Sequence, residues 1–380
     1  TTAGTASGSI QSLVRNYNAG ANYTYNGTGN QNTGTGLPNN LTGNLTIDNP
    51  GNTVTLSNAR TIANTGDIFL TNGVLAAGTN LTMASTSTIN RSEGSMTGNP
   101  SGGGVYNVVY TGNNKTTGSE LNGTGLNNIS VTVTSGQTVT LGAAVTLDGT
   151  MTIGSGAILD ASGSNFAINI AGNWTNNGGT FNGQGGTVTF NGTGAQSING
   201  SATTQTFNNV IVNKTAGQLL NTGGSTTTLS TNALTLTQGN FTAPATLNIN
   251  GNFTHTAGTY TAGANTNVSG NWTRNGGTFT PGTNTVTFTG SSAQVINGSS
   301  STAFYNLTLN KSAAGNTVTS QTTAFSATSN LLLTQGNLVL TATNANYTIS
   351  GNVTVTSNAK LSHNVDWVTG FLLSVGGNIA

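Results

Sequence analysis

The stretch that decides the fold reads Ala167-Ile-Asn-Ile-Ala-Gly-Asn-Trp-Thr-Asn-Asn-Gly-Gly-Thr180. Its centre, Gly172-Asn173-Trp174-Thr175, returns as Gly270-Asn271-Trp272-Thr273, 98 residues later. At the same offset, Asn177-Gly178-Gly179-Thr180-Phe181 returns as Asn275-Gly276-Gly277-Thr278-Phe279, and Thr187-Val188-Thr189-Phe190 as Thr285-Val286-Thr287-Phe288. Ala195-Gln196 likewise returns as Ala293-Gln294. Self-similarity at a fixed offset is the signature of an internal repeat.

A shorter period lies inside the longer one. Gly251-Asn252-Phe253-Thr254 precedes Gly270-Asn271-Trp272-Thr273 by 19 residues. Strands of four to six residues, broken by Gly, Asn and Ser and returning at this interval, predict coils that stack and share one continuous core. The expected fold is all-β: a right-handed parallel β-solenoid (β-helix) rod of about 20 residues per coil. Tandem β-sandwich domains are the alternative, though a sandwich gives no reason for a 19-residue echo within one copy. Val, Ile, Leu, Phe and Ala at alternate positions are expected inside, with Thr, Ser and Asn outside. Tyr25, Tyr110, Phe190 and Phe288 each end an aromatic strand at a Gly turn, and all four are expected inside.

These aromatic strands divide the chain. Residues 1–22 form an N-terminal segment, a candidate subunit-joining strand. Residues 23–380 form one continuous solenoid of four super-repeats, 23–107, 108–187, 188–285 and 286–380.

Composition narrows the function. Of 380 residues, 8 are basic and 7 acidic, and charged side chains make up 4%. An average soluble domain is about one quarter charged. A net charge of +1 leaves no electrostatic footprint for nucleic acid. There is no cysteine to form a disulfide or a thiolate metal site, and no apolar run approaches the length of a membrane span. With so few ionisable groups, stability is expected to vary little with pH.

Catalysis on saccharides needs carboxylates that converge on one groove. Here Asp48, Asp67, Glu93, Glu120, Asp148, Asp160 and Asp366 are scattered, and Arg91 with Glu93 reads as a surface ion pair. His255 and His363 have no companion at a ligand spacing. The expectation is a protein without catalytic residues, cofactor or metal. Asn173, Asn252, Asn271 and Asn352, each following a Gly, are candidates for a corner ladder in which one amide bonds the next. Thr-x-Thr strands such as Thr187/Thr189 and Thr285/Thr287 also suit an ice-matching face, but they recur once or twice per super-repeat rather than once per coil. Asn-x-Ser/Thr triplets at Asn22, Asn44, Asn128, Asn173 and Asn306 follow from an Asn- and Thr-rich composition.

The units Gly-Asn-Trp-Thr-x-Asn-Gly-Gly-Thr-Phe, Thr-Val-Thr-Phe-x-Gly and Phe-x-Asn-Leu-Thr-Leu-Asn-Lys (Phe304 to Lys311, with Phe207 to Lys214) resemble those of large repetitive bacterial cell-surface proteins and autotransporter-like passenger domains. The likeness covers roughly residues 23–357. It implies export, a β-solenoid stalk, and a role in adhesion or surface fibres, and brings no catalytic residues with it. The chain is therefore expected to be secreted, extracellular or cell-surface, with a second copy of itself as its main partner and glycan as another. Apolar residues near the two ends, Ile10, Leu13 and Val14 with Trp367, Phe371, Leu372 and Leu373, are the candidate contacts for head-to-tail stacking.

Overall fold

The computed structural model describes residues 17–102, 105–342, 346–363 and 372–380. These residues form about 15 turns of parallel β-solenoid at about 22 residues per turn. Among them there is no α-helix, and the single helical element is a 3₁₀ turn at Ser119–Leu121. The strand ladders are parallel, as coils require and sandwiches do not. The chain divides into two compact units, residues 1–186 and 187–380.

In the first unit, one inward row runs Leu45, Ile68, Ile89, Val108, Ile129, Met151 and Trp174, each paired with the next. Val108 also pairs with Ile129. The coil returns after 19 to 23 residues, and every member of the row is buried. The next inward row runs Tyr25, Ile47, Leu70, Arg91, Tyr110, Val131, Ile153 and Asn176. Strands such as Tyr106–Tyr110 alternate buried and half-buried positions, the pattern of a sheet with one face in the core.

In the second unit the rows are aromatic. Phe253 pairs with Trp272 at the 19-residue offset seen in the sequence. Phe241 pairs with Tyr260, and Tyr260 with Phe279. These three rings are stacked, with centroids 5.9 and 5.3 Å apart. The contacts continue edge-on from Phe279 through Phe304 and Phe325 to Tyr347. Phe190, Phe288, Tyr25 and Tyr110 are all buried, so the strand register is the expected one.

The strands hold register while the corners absorb differences in length. Glycine makes the tightest corners possible. Gly258 has φ +80°, and a Cβ there would sit 1.6 Å from the Gly239 carbonyl oxygen of the coil below. No L side chain fits that approach.

Candidate functional site

Two features repeat from coil to coil: an asparagine at the corner before a strand, and a cation turned into the wall.

The asparagine stands immediately before a buried strand residue, as in Asn252-Phe253, Asn271-Trp272 and Asn352-Val353. The ladder is not amide to amide, as the sequence suggested. The side-chain Oδ1 accepts the backbone N–H of the corner residue one coil on. Asn271 N–H donates to Asn252 Oδ1 at 2.8 Å, and Val295 N–H to Asn271 Oδ1 at 3.0 Å. The chain Asn306, Asn330, Asn352, Asn378 repeats the bond three times, at 3.2, 2.9 and 2.9 Å. In the first unit the relay runs from Asn22 to Asn44, Asp67 and Thr88. It appears again from Asn107 through Asn128 to Thr150. The same corner residue returns a bond with its carbonyl, which accepts from the first strand residue of the coil below: Phe253 N–H to Asn271 O is 2.8 Å and Leu331 N–H to Asn352 O is 2.9 Å. Neighbouring strands lie about 4.8 Å apart, a gap that the short Asn side chain bridges to a main-chain donor. At Asn173 the returning half of this bracket is seen, Met151 N–H to Asn173 O at 3.0 Å.

The cations are interior. Arg91 does not pair with Glu93 on the surface. It occupies a position in the second inward row, where its Nη1 donates to Glu120 Oε1 at 2.5 Å and its Nε to the Gly94 carbonyl at 2.8 Å. Glu120 is fully buried and also accepts from the Tyr110 hydroxyl and Gly118 N–H. Glu93 instead accepts from Asn113. The register error is physical: Glu93 follows the strand Thr88–Arg91 and lies in a bend, so strand alternation does not extend to it. Arg60 closes another corner by donating to Gly34 O, Ala59 O and Asn39 Oδ1.

In the second unit Lys214 and Lys311 are both 1% exposed and have no carboxylate partner. Lys214 Nζ donates to Gln196 Oε1 at 2.5 Å and Gly192 O at 3.1 Å. Lys311 Nζ donates to Thr289 O at 2.7 Å, to Ser292 O at 3.0 Å and to Gln294 Oε1. Burial pulls both ammonium groups down to about 8. Arg274 donates to the carbonyls of Ser301 and Gly277. The two lysines stand in the repeated Phe-x-Asn-Leu-Thr-Leu-Asn-Lys unit, and their glutamines in the repeated Ala-Gln pair. The sequence shows the recurrence; the pairing shows only when the coil closes, because 18 and 17 residues separate the partners.

His255 is fully buried beneath Arg274, with which it pairs across the coils, and burial lowers its pKa from the ordinary 6.5. Among the described residues no three His, Asp or Glu side chains come together as metal ligands. Leu372 and Leu373 lie on a strand paired with Asn346 and Tyr347, and Leu372 is exposed. Ile10, Leu13, Val14, Trp367 and Phe371 lie outside the described residues. No described helix is long and apolar enough to cross a membrane. No protein-family model, curated protein or solved structure matches the chain.

Proposed function

We propose that this chain is a non-catalytic structural protein of the bacterial exterior, a β-solenoid segment of an extracellular filament or surface fibre that stacks head to tail. The observation that carries the reading is the corner relay. One contact, an Asn Oδ1 and a carbonyl facing the next coil, is used again and again, so a coil of a second copy can take the place of a coil of the same chain. The cations favour the same role. Arg60, Arg91, Lys214, Arg274 and Lys311 are spent on main-chain carbonyls and a buried carboxylate rather than presented to a ligand. The coil at residues 372–380 carries Leu372 at 54% and Ile379 at 72% exposure. These are apolar groups that a further coil, of this chain or of a second copy, would cover.

Sedimentation velocity over a range of concentrations, with negative-stain microscopy, tests the proposal. Filaments that dissolve in the double variant Leu372→Lys/Ile379→Lys are expected, because charge on a stacking edge blocks strand addition. A chain that stays monomeric at every concentration overturns head-to-tail stacking.

A further inference from the structure

The second unit changes coil length abruptly at one corner. Phe253 and Trp272 pair at an interval of 19 residues, whereas Trp272 pairs with Ile296, and Ile296 with Ser320, at intervals of 24. The short corner after Trp272 is therefore followed by two longer ones. Between them lies an open groove of about 520 Å³, lined by Thr273 and Asn275 of the short coil, Asn297, Gly298 and Ser299 of the next, and Thr322 and Thr323 of the third.

The groove is a fixed feature of the backbone. Ser300 N–H donates to Arg274 O at 3.0 Å and Ser299 Oγ to Asn275 O at 2.9 Å, tying the longer corner onto the shorter one. Gly298 holds φ +120°, and a Cβ there would lie 2.0 Å from the Arg274 carbonyl oxygen. Some of the lining is already paired: Thr273 Oγ1 donates to Asn297 Oδ1 at 2.6 Å, and Thr322 Oγ1 to Gly298 O at 2.7 Å. The Asn275 carboxamide, the Asn297 Nδ2 and the Thr323 hydroxyl face the groove without a protein partner.

We propose that this groove binds a short neutral oligosaccharide. Every lining group is a hydroxyl, a carboxamide or main chain, and sugar hydroxyls pair with these as both donors and acceptors. An anionic ligand finds no counter-charge, because the guanidinium of nearby Arg274 is committed to the Ser301 and Gly277 carbonyls. Lining groups step from one coil to the next by about 4.8 Å, roughly one sugar ring per coil. Threonine methyls between them give the apolar contact that a sugar face needs. The three free groups come from three successive coils, so a ligand of three or four sugars spans them.

The test is a titration of the full chain with the β-1,4-linked tetramers of glucose, xylose and N-acetylglucosamine, followed by saturation-transfer NMR and calorimetry. Saturable binding of at least one tetramer is expected. The double variant Asn275→Ala/Thr323→Ala removes two of the free groups and no hydrogen bond described above, so it keeps the wild-type circular dichroism. Its affinity should fall about tenfold. Absence of saturable binding to all three tetramers overturns the proposal, as does binding that the double variant retains in full. Neither outcome bears on filament formation, which is read separately.

Discussion

The two units build the same coil from different interiors. In the first, the long inward row is aliphatic from Leu45 to Met151, and its buried cation Arg91 is neutralised by buried Glu120. In the second, Phe241, Tyr260, Phe279, Phe304, Phe325 and Tyr347 form a file of rings, and the buried cations Lys214 and Lys311 face only neutral oxygens. A coil thus sets where an interior side chain sits and leaves its chemistry open, provided volume is filled and each polar atom is met.

The largest effect is expected where the ring file is densest. Trp272 touches Phe253, Tyr260, Phe279 and Phe304, with centroids 4.3 to 6.4 Å apart. Trp272→Ala should cost about 4–5 kcal/mol, the upper end for deleting a buried aromatic. Denaturant unfolding that shows a loss below about 2 kcal/mol would mean that the file is not a packed core.

Next comes the ion pair. Glu120→Leu leaves Arg91 buried without its counter-charge and should cost about 3–5 kcal/mol. Lys311→Met leaves only neutral carbonyls unmet and should cost less, about 1–2 kcal/mol. Thermal melts of the two variants side by side decide the comparison. Equal losses would show that the lysine site is as charge-dependent as the arginine site.

The pH profile separates the same groups. Lys214 and Lys311 sit at about 8, below the ordinary 10.5. Between these values the unfolded chain holds more protons than the folded one, so stability should rise with pH across that window. The buried tyrosines act in the opposite sense. Burial lifts Tyr25 to about 12, and Tyr106, Tyr110 and Tyr260 further still, against an ordinary 10.0. Above pH 10 the unfolded state holds fewer protons, and stability should fall steeply. On the acid side His255, lowered from 6.5 by burial, makes the folded state lose stability as pH falls through 6.5. Melting temperature measured from pH 5 to 12 should therefore peak near pH 10, and a flat profile would contradict these assignments. The expectation of near pH-independence rested on counting acids and bases, and phenols were not in that count.

The smallest effect concerns the relay. Asn271→Ala deletes one inter-coil bond at a half-exposed corner and should cost about 0.5–1.5 kcal/mol, measured by denaturant unfolding.

Coil period, strand register and inward aromatics were legible because each follows from spacing along the chain. The 19-residue echo of Asn252-Phe253 in Asn271-Trp272 is the pairing register itself. Partners joined by coil closure were not legible. Arg91 meets Glu120 across 29 residues, and nothing in the two local sequences marks the pair. The relay was half legible: the Asn positions repeat, but a side chain bonding a main-chain donor leaves no second residue type to recognise. The groove escaped notice because it arises from unequal corner lengths, which a repeat alignment treats as gaps. The Thr-x-Thr expectation was also too sparse. Thr259/Thr261 and Thr278/Thr280 stack on adjacent coils after Asn240/Thr242, a density hidden by the aromatic residue between each pair.

A coil of about 22 residues per turn is also a store of contour length. Peeling one turn from its neighbour frees roughly 75 Å of extended chain while breaking only the bonds of a single circumference. Under tension such a segment yields in equal instalments, each ended by the next intact turn. It can lengthen many times over and still hold its load, behaving as a spring wound from identical links.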